Sequence, residues 1–363
     1  MKNIYLQLTA KESSVPGLVL ATVTAASGST PQKPGSSALF QNGKLIAGTV
    51  GGGIIESRTA EYAAGCTESK ESALLKFHLD QETSDPEEAV CGGIITILVD
   101  SDPFAHLRVF MEMEKSLKSG RPGVLVTRVV PWNGSQVMIK RCWASGSCEL
   151  NLPGDDREMI RIGVEKILSS GNRDGYRHLD VTIPGEQQGA KVFLEPVFPP
   201  RRLIIAGAGH VGRAVSHQGK LLGFEVTVID DRAEYANSRN LPDADNIIVK
   251  DIGMAMKELQ KDEDTYVVIV TRGHSHDAEA LRACIGSEAA YVGMMGSKVK
   301  VAKIHEDFIA NGWATEEEWK RICTPIGLEI ASVTVEEIAV SIAAQLILYK
   351  GSRQKRQELK ISD

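Results

Sequence analysis

The chain lacks any apolar run long enough to span a bilayer, and its first residues lack the apolar core of a secretory signal. We therefore expect a cytoplasmic protein that has no membrane partner. Charge of one sign is not in large excess either, because 41 basic residues face 47 acidic ones and the formal net charge is −6. That balance argues against a general nucleic-acid-binding surface.

The cysteines are few and dispersed. The sequence has six of them, and no two form a C-x-x-C pair. Scattered thiols in a cytoplasmic chain predict free, reduced cysteines rather than a disulfide framework. The six are Cys66, Cys91, Cys142, Cys148, Cys284 and Cys323.

The length of 363 residues is typical of two domains. The doublet Pro199-Pro200, followed by Arg201-Arg202, marks a boundary between structured segments. We predict an α/β protein with an α+β domain over residues 1–198 and a Rossmann-like, parallel-sheet domain over residues 199–363. The second domain is expected to end in a helix and a basic tail that starts near residue 350.

A glycine-rich turn after this boundary carries the pattern of a dinucleotide-binding fold. The apolar strand Leu203–Ala206 leads into Gly207, Gly209 and Gly212, and a helix is predicted over Val211–Leu222. In G-x-G-x-x-G the first glycine permits the tight turn, the second lets a pyrophosphate approach, and the third lets helix and strand pack closely. The start of the helix offers free N–H groups to a phosphate. The three glycines are therefore predicted to bind a cofactor.

An acidic residue follows the second strand of this motif. The strand is predicted over Phe224–Ile229, and Asp230 stands at its end, 18 residues after Gly212. That spacing agrees with the roughly 20 residues expected before an acid that binds a ribose hydroxyl. Asp230 is accordingly predicted to contact the ribose of NAD or another nucleotide.

Polar residues follow the next strand, Tyr266–Val270, at the edge of the sheet where ligands bind. Arg272 and His274 are predicted to make polar contacts with a ligand. The pattern His274-x-His276 also suits a metal ion, but the sequence offers no clear third and fourth ligands, so no metal is predicted. Asp277 is expected to cap the helix that follows it.

A further strand, Tyr291–Met294, precedes Ser297 and Lys298 at the start of another helix. A hydroxyl and an amine at a helix start after glycine can hold a phosphate, so both residues are predicted to bind cofactor. A long final helix is predicted over Thr334–Tyr349, with Thr334 as its N-cap.

The first half of the chain mixes strands and helices. A buried strand, Leu18–Ala25, precedes the turn-rich loop Ser27–Gly35, and the Asn42-Gly43 dipeptide predicts a tight hairpin. This mixture predicts an α+β domain. The remaining predicted elements are helices at 103–119 and 156–170 and strands at Ser72–Leu79, Ile94–Asp100, 123–130, 135–142 and Lys191–Pro196.

Two glycine groups in this half are candidate ligand sites. Gly51–Gly53 enter a predicted helix and form a second terminus suited to an anion. Glu56, in the first turn of that helix, is either a ligand-binding carboxylate or a capping one. Cys91, followed by Gly92-Gly93, is either a soft thiolate ligand or a small buried side chain beside a tight turn.

Several motifs together resemble the XdhC/CoxI proteins, the accessory factors of xanthine dehydrogenase and related molybdenum hydroxylases. The resemblance covers nearly the whole chain, and both the order and the spacing of the motifs fit. The matching stretches are Gly28–Gly35, Gly48–Glu56, Cys91–Gly93, Gly207–Gly212, Arg272–Asp277, Tyr291–Lys298 and Pro325–Gln345.

The resemblance implies a chaperone and loading factor more than a catalyst. The protein would bind molybdenum cofactor (molybdopterin), support its sulfuration by a cysteine desulfurase and deliver it to apo-xanthine dehydrogenase in purine catabolism. Cys91 would be a sulfur or molybdenum ligand, and Gly51–Gly53, Glu56 and Gly92-Gly93 would hold the pterin and its phosphate. The resemblance to this family also favours a homodimer. Some CoxI-like members carry a cysteine where this chain has Ile54, so a scheme with two cysteines does not carry over.

Two other functions stay open at this point. The turn Gly207–Gly212 also resembles that of lactate and malate dehydrogenases, which makes an NAD-dependent oxidoreductase one alternative. Against it, those enzymes carry the turn near the chain start, and their catalytic pattern is not evident. The other alternative is a regulatory module that senses a nucleotide. It is compatible with cofactor delivery, because a fold does not fix a function.

Overall fold

The computed structural model divides at the proline doublet into two units, Lys2–Pro199 and Pro200–Asp363. We call them the N-terminal unit and the C-terminal unit and describe each by itself. The structure describes residues 4–10, 15–79, 92–131, 136–146, 157–181 and 189–359.

The described part of the N-terminal unit contains nine strands and four α-helices. In chain order they are α1 (Ile4–Thr9), β1 (Leu18–Ser27), β2 (Ser37–Gln41), β3 (Lys44–Gly48), α2 (Gly53–Ser69), β4 (Ala73–His78), β5 (Ile94–Asp100), a 3₁₀ turn (Pro103–His106), α3 (Leu107–Lys118), β6 (Gly123–Pro131), β7 (Val137–Ala144), α4 (Arg157–Ser170), β8 (Arg177–Val181) and β9 (Ala190–Val197).

A five-stranded sheet in the order β3-β2-β1-β5-β4 organises the first part of this unit. All of its pairings are antiparallel, so neighbouring strands run in opposite directions. The ends of β1, β3 and β4 therefore lie at the same end of the sheet as the starts of β2 and β5. Asn42 and Gly43 have φ of 51° and 74°, as the two-residue hairpin between β2 and β3 requires.

Helices supply the apolar cover of both sheets in this unit. Ile55 and Ala63 of α2 share a buried core with Ile97 of β5. The second sheet has the order β7-β6-β9-β8, and Ile160 of α4 packs with its Val126 in a separate core. Removal of these side chains from water is the main force that holds helix and sheet together.

The C-terminal unit alternates strands with helices. In chain order its elements are β10 (Arg202–Ala206), α5 (His210–Leu221), β11 (Glu225–Asp230), β12 (Asn246–Val249), α6 (Ile252–Glu258), β13 (Thr265–Ile269), α7 (His274–Arg282), β14 (Tyr291–Met294), α8 (Lys298–Ala310), α9 (Glu316–Trp319), β15 (Ile322–Cys323) and α10 (Val335–Leu359).

The described residues of this unit form a parallel sheet in the order β12-β11-β10-β13-β14-β15. Successive strands are added on one side of β10 and then on the other, so the strand order reverses between β10 and β13. That reversal creates a crevice at the carboxyl ends of these two strands, the usual ligand position of such sheets. The predicted α/β class with a Rossmann-like second domain is confirmed. Buried apolar strands, such as β13 with all five residues buried, fit a sheet covered on both faces.

The prediction for Asp277 was wrong. The helix after β13 begins at His274, with Gly273 as its N-cap, so Asp277 lies inside the first turn. Its buried carboxylate accepts hydrogen bonds from the N–H and the hydroxyl of Thr271, at 3.2 and 2.6 Å. The side chain therefore fastens the preceding loop to the helix instead of capping the helix start.

The final helix begins as predicted but continues to Leu359, so the prediction of a tail from about residue 350 was wrong. The Lys, Arg, Gln and Glu residues of this segment are good helix formers. The hydroxyl of Thr334 accepts from the N–H of Glu337 at 3.2 Å, and the Glu337 carboxylate accepts from the N–H of Thr334 at 2.9 Å. This reciprocal pair is a capping box. Of the helices in the described ranges, none combines the length and hydrophobicity needed to cross a membrane.

Candidate functional site

Three glycine-rich loops meet at one end of the five-stranded sheet. A Cβ on Gly93, just before β5, would lie 2.4 Å from the carbonyl oxygen of Ser29 in the loop after β1. A Cβ on Gly51, in the loop after β3, would lie 2.9 Å from Cγ of Pro31 in that same loop. The structure therefore brings together predicted motifs that are far apart in the sequence. We call the residues 28–35, 48–56 and 92–93 the glycine cluster.

The start of α2 is the part of the glycine cluster best suited to an anion. Gly51, Gly52 and Gly53 all have positive φ, at 141°, 71° and 51°. Gly52 is the N-cap and supplies no side-chain hydrogen bond to the helix. A Cβ on Gly52 or Gly53 would meet no atom within 4 Å. Helix α2 has 17 residues, and Gly52 supplies no side chain to accept from its first N–H groups. These N–H groups are therefore donors that a bound anion could use.

Glu56 holds the glycine loop in shape. Its carboxylate accepts a hydrogen bond from the hydroxyl of Thr49 at 2.9 Å, and that hydroxyl accepts from the N–H of Gly51 at 3.2 Å. One carboxylate oxygen is engaged in this way, and a carboxylate has several acceptor sites. Glu56 is therefore both a structural residue of the loop and a remaining candidate for a ligand contact.

Cys91 lies outside the described residues, so the prediction of a thiol ligand stays a prediction. Gly92, which follows it, is exposed, and Gly93 is buried in the glycine cluster. The described cysteines have different surroundings. Burial raises the pKa of the Cys66 thiol to about 11 and that of Cys284 to about 12, which keeps both protonated and unreactive near neutral pH.

Tyr176 adjoins the glycine cluster and was not identified from the sequence. Its ring occupies the space beside Gly35, where a Cβ would come within 2.1 Å of the ring carbon Cε1. The ring also stacks on Phe193 of β9, with centroids 6.0 Å apart. Gly35, with a φ of 88°, is therefore required both by its conformation and by this aromatic neighbour.

The glycine turn of the C-terminal unit has the geometry its motif predicts. Gly207 has a φ of 114°, and a Cβ there would lie 2.5 Å from the carbonyl oxygen of Val270. A Cβ on Gly212 would lie 1.9 Å from the carbonyl oxygen of Gly207. Around Gly209, by contrast, a Cβ would meet nothing within 4 Å. Two glycines are needed for packing, and the third leaves open space at the start of α5.

Asp230 is buried and fully engaged. Its carboxylate accepts from the N–H of Ala208 at 2.8 Å, the N–H of Arg232 at 3.1 Å, and the Arg232 guanidinium at 2.8 and 3.0 Å. Burial favours the neutral acid, but the Arg232 guanidinium and the N–H donors outweigh it and hold the pKa of Asp230 at about 2. This residue therefore fixes the glycine turn against the end of β11.

Arg272 and His274 follow β13 at the same edge of the sheet. The Arg272 side chain is 48% exposed and donates to the Asp231 carboxylate at 2.8 Å, which joins the loops after β13 and β11. His274 begins α7, and its buried Nε2 atom has no hydrogen-bond partner among the described residues. An orphaned ring nitrogen at this edge is consistent with a polar ligand contact.

Ser297 and Lys298 lie at the start of α8, as predicted. The Ser297 hydroxyl caps that helix by accepting from the N–H of Lys300 at 3.3 Å, and Lys298 is exposed. The ammonium group of Lys300 pairs with the buried Asp277. Within the described ranges, no three His, Cys, Asp or Glu side chains lie close enough to hold a metal ion.

Comparisons with known proteins connect both candidate regions to one family. The model of the XdhC and CoxI family matches residues 16–78, which contain most of the glycine cluster. The model of the XdhC Rossmann domain matches residues 203–346, which contain the parallel sheet and its glycine turn.

Two curated proteins and one solved structure are similar to the chain. A protein of Bacillus subtilis (strain 168), named as a probable subunit of xanthine dehydrogenase, is 24% identical over 96% of this chain and 97% of its own length. The uncharacterized protein YqeB of Escherichia coli (strain K12) is 33% identical over 42% of this chain and 28% of its own length. A crystal structure of a xanthine dehydrogenase from Bacillus halodurans has a TM-score of 0.76, with 23% identity, and covers 96% of this chain and 95% of that one. At that identity the likeness shows the fold alone.

Proposed function

Because the chain belongs to the XdhC and CoxI family, we propose that it is an accessory factor of xanthine dehydrogenase. In this role it binds molybdenum cofactor, supports the sulfuration of the cofactor by a cysteine desulfurase, and delivers it to apo-xanthine dehydrogenase. The similarity to the Bacillus subtilis protein along nearly the whole chain supports an association with that enzyme. We also propose a cytoplasmic homodimer that serves purine catabolism.

The observation that carries this proposal is the convergence of three glycine loops at one end of a sheet. The cofactor has a phosphate group, and the start of α2 offers it main-chain N–H groups and the positive end of a helix dipole. The absence of a side-chain cap at Gly52 and the open space at Gly52 and Gly53 fit such a group. Gly51–Gly53 would hold the phosphate, and the remaining acceptor sites of Glu56 would receive N–H groups of the pterin ring.

Cys91 is the proposed ligand for sulfur or molybdenum. It precedes Gly92 in the chain and therefore lies within one residue of the glycine cluster. A thiolate is a soft ligand and suits both atoms. Of the other described cysteines, Cys66 and Cys284 have raised pKa values and Cys323 donates to the Tyr349 hydroxyl at 2.9 Å, so none of these three matches this task.

A nucleotide is the proposed second ligand, bound by the C-terminal unit. The reversal of strand order between β10 and β13 and the open space at Gly209 support it. Gly207 and Gly212 would shape the turn around the phosphates, Arg272 and His274 would supply polar contacts, and Ser297 and Lys298 would hold a phosphate. Asp230 would hold the glycine turn in place by accepting the hydrogen bond from the N–H of Ala208.

Such a nucleotide would act as a regulatory signal for cofactor delivery or as the cosubstrate of an NAD-dependent oxidoreductase. The two alternatives differ in turnover. A nucleotide that binds without change during cofactor delivery supports the regulatory module, whereas oxidation or reduction of NAD in the presence of candidate substrates supports the oxidoreductase. Absorbance at the nicotinamide band distinguishes them.

The experiment for the cofactor proposal uses purified full-length protein mixed with molybdenum cofactor released from a donor enzyme. Free pterin is removed by gel filtration, and the retained pterin is measured by fluorescence after oxidation. We expect stoichiometric retention by the wild type and a loss of at least tenfold in affinity for Cys91→Ala. Cys323→Ala is the matched control and should retain the cofactor. Absence of retention by the wild type would contradict cofactor binding, and full retention by Cys91→Ala would contradict only the thiol assignment.

A further inference from the structure

Four charged side chains lie together where the strand order of the parallel sheet reverses. Asp230, Asp231 and Arg232 follow one another at the end of β11, and Arg272 reaches them from the loop after β13. Gly207, in the turn after β10, touches that loop, and the N–H of Ala208 bonds to Asp230. The four charges are therefore linked to the glycine turn through Asp230, at the edge of the sheet where a nucleotide ribose would lie.

Asp230 has no acceptor site left for a ribose hydroxyl. A carboxylate has about four lone-pair sites on its two oxygens. Oδ1 accepts from the N–H and Nε of Arg232, and Oδ2 accepts from the N–H of Ala208 and from Nη2 of Arg232. The residue is also only 1% exposed. A hydroxyl could bind there only if one of these bonds broke, which would loosen the glycine turn.

Asp231 has the acceptor that Asp230 lacks. Its Oδ2 accepts from the Arg272 guanidinium at 2.8 Å, while Oδ1 lies 3.8 Å from Nε of Arg232, beyond hydrogen-bond distance. The Asp231 side chain is 30% exposed. Its position, 19 residues after Gly212, satisfies the spacing expected of a ribose-binding acid as well as Asp230 does.

The charges in this cluster favour an unphosphorylated ribose. Arg232 is bound through two of its nitrogens to Asp230, and its guanidinium stacks 4.0 Å from the ring centroid of Tyr235. Arg272 is bound to Asp231. Both arginines of the cluster thus already bind a carboxylate, so a 2′-phosphate would find no free cation in the cluster. A phosphate also has no proton to donate to Oδ1 of Asp231, whereas a ribose hydroxyl has one.

We propose that Asp231, and not Asp230, binds the ribose of a nucleotide with free 2′ and 3′ hydroxyls, and that a 2′-phosphorylated nucleotide is rejected. This inference rests on the proposal that the C-terminal unit binds a nucleotide. Arg272 acts as a positioning residue, because its bond to Oδ2 holds the Asp231 carboxylate and leaves Oδ1 as the acceptor. Asp230 and Arg232 do not contact the ribose; they bind each other, and Asp230 holds the glycine turn in place through the N–H of Ala208.

The test is calorimetric titration of the full-length protein with NAD⁺ and NADP⁺, which differ only in the 2′-phosphate. We expect NAD⁺ to bind at least about tenfold more tightly than NADP⁺, in line with the loss of a charge-assisted hydrogen bond and the added repulsion. Asp231→Asn should weaken NAD⁺ binding by about tenfold and leave NADP⁺ binding unchanged or stronger. A merely structural role of Asp231 would weaken both ligands alike.

Two controls separate the binding role from an effect on folding. Glu234→Gln removes one negative charge from an exposed side chain three residues away and should change neither affinity. The ligand 2′-deoxy-NAD⁺, titrated into the wild type, should lose affinity by a factor similar to that of Asp231→Asn, and this result does not depend on a variant.

Three outcomes would overturn the proposal at different levels. NADP⁺ binding as tightly as NAD⁺ to the wild type would contradict the preference for a free diol. Unchanged NAD⁺ affinity of Asp231→Asn would contradict the residue assignment and leave nucleotide binding in place. Absence of heat with either nucleotide, at millimolar concentration, would contradict nucleotide binding itself while leaving the cofactor proposal untouched.

Discussion

In the C-terminal unit, a Cβ on Gly207 or Gly212 would lie within 2.5 Å of a main-chain carbonyl oxygen. In the N-terminal unit, by contrast, a Cβ on Gly52 or Gly53 would meet no atom within 4 Å, and both residues have a positive φ. The first pair allows a helix to pack closely on a strand. The second pair allows a loop conformation that other residues rarely adopt. Gly207 and Gly212 thus serve packing, Gly52 and Gly53 serve loop shape, and open positions such as Gly52 and Gly209 can face a ligand.

Two buried carboxylates, one from each unit, differ in their partners. Asp230 has an arginine partner, and its pKa lies at about 2. Glu195 of β9 is also buried, but it accepts a hydrogen bond from the neutral hydroxyl of Tyr5, at 2.6 Å. Burial raises the pKa of Glu195 to about 7, more than the Tyr5 bond and the charge of Arg141 lower it. A buried acid is therefore ionised in one unit and holds a proton near neutral pH in the other.

The largest expected effect tests the packing role of glycine. Gly212→Ala places a Cβ 1.9 Å from the carbonyl oxygen of Gly207, so strand and helix must separate. We expect a loss of about 3 kcal/mol in the free energy of unfolding of the C-terminal unit. Urea denaturation followed by circular dichroism measures it. Gly209→Ala, where the added carbon meets nothing within 4 Å, should lose less than about 1 kcal/mol; equal losses would contradict the packing argument.

The next effect is a difference in pH dependence between the two units. Because the pKa of Glu195 is raised from 4.5 to about 7, its contribution to stability is complete below pH 4.5 and is lost as the pH rises towards 7. The N-terminal unit should lose about 2–3 kcal/mol of unfolding free energy over that range. Because the pKa of Asp230 is lowered from 3.8 to about 2, the C-terminal unit should lose stability only as the pH falls from 3.8 to 2.

Hydrogen exchange with mass spectrometry reports the two units separately and can follow both changes. Glu195→Gln should abolish the loss between pH 4.5 and 7, because the amide does not ionise. Glu61→Gln, at an exposed position on α2, is the matched control and should behave like the wild type. The same pH dependence in Glu195→Gln and in the wild type would show that another group is responsible.

The smallest expected effects come from two hydroxyls that shape the proposed anion sites. Thr49→Ala removes the bonds that join Gly51 and Glu56, and Ser297→Ala removes the cap of α8. Each should reduce the free energy of unfolding by about 1 kcal/mol. Retention of the molybdenum cofactor, measured in parallel, should fall for Thr49→Ala, recover in Thr49→Ser and stay unchanged for Ser297→Ala. Equal retention by all three variants would contradict a role of this loop in cofactor binding.

The fold was predictable where the signal is local. The glycine turn, its flanking strands and the Asn42-Gly43 hairpin follow from short patterns with a direct conformational cause. The short elements α1, β12, α6, α9 and β15 were missed, since segments of two to seven residues carry too little periodicity to distinguish strand from helix. Strand β8 was missed because it is short and its side chains are mostly half-exposed.

The arrangement of the candidate sites was less predictable. The glycine loops of the N-terminal unit meet because β1 pairs with β5, a long-range pairing that no local pattern reveals. The engagement of Asp230 depends on where the Arg232 side chain points, and that depends on tertiary packing. The run Asp230-Asp231-Arg232 was the available signal in the sequence, since adjacent opposite charges can bind one another.

The most direct test of the account asks whether the two ligands have separate sites. Gly92→Val and Gly209→Val each add a side chain where a Cβ meets nothing within 4 Å and φ is not left-handed, so both full-length variants should fold. Retained pterin and NAD⁺ affinity are then measured for each. We expect Gly92→Val to lose the molybdenum cofactor and keep NAD⁺, and Gly209→Val to keep the cofactor and lose NAD⁺. Loss of the cofactor in Gly209→Val with full retention in Gly92→Val would contradict the assignment of the cofactor to the glycine cluster.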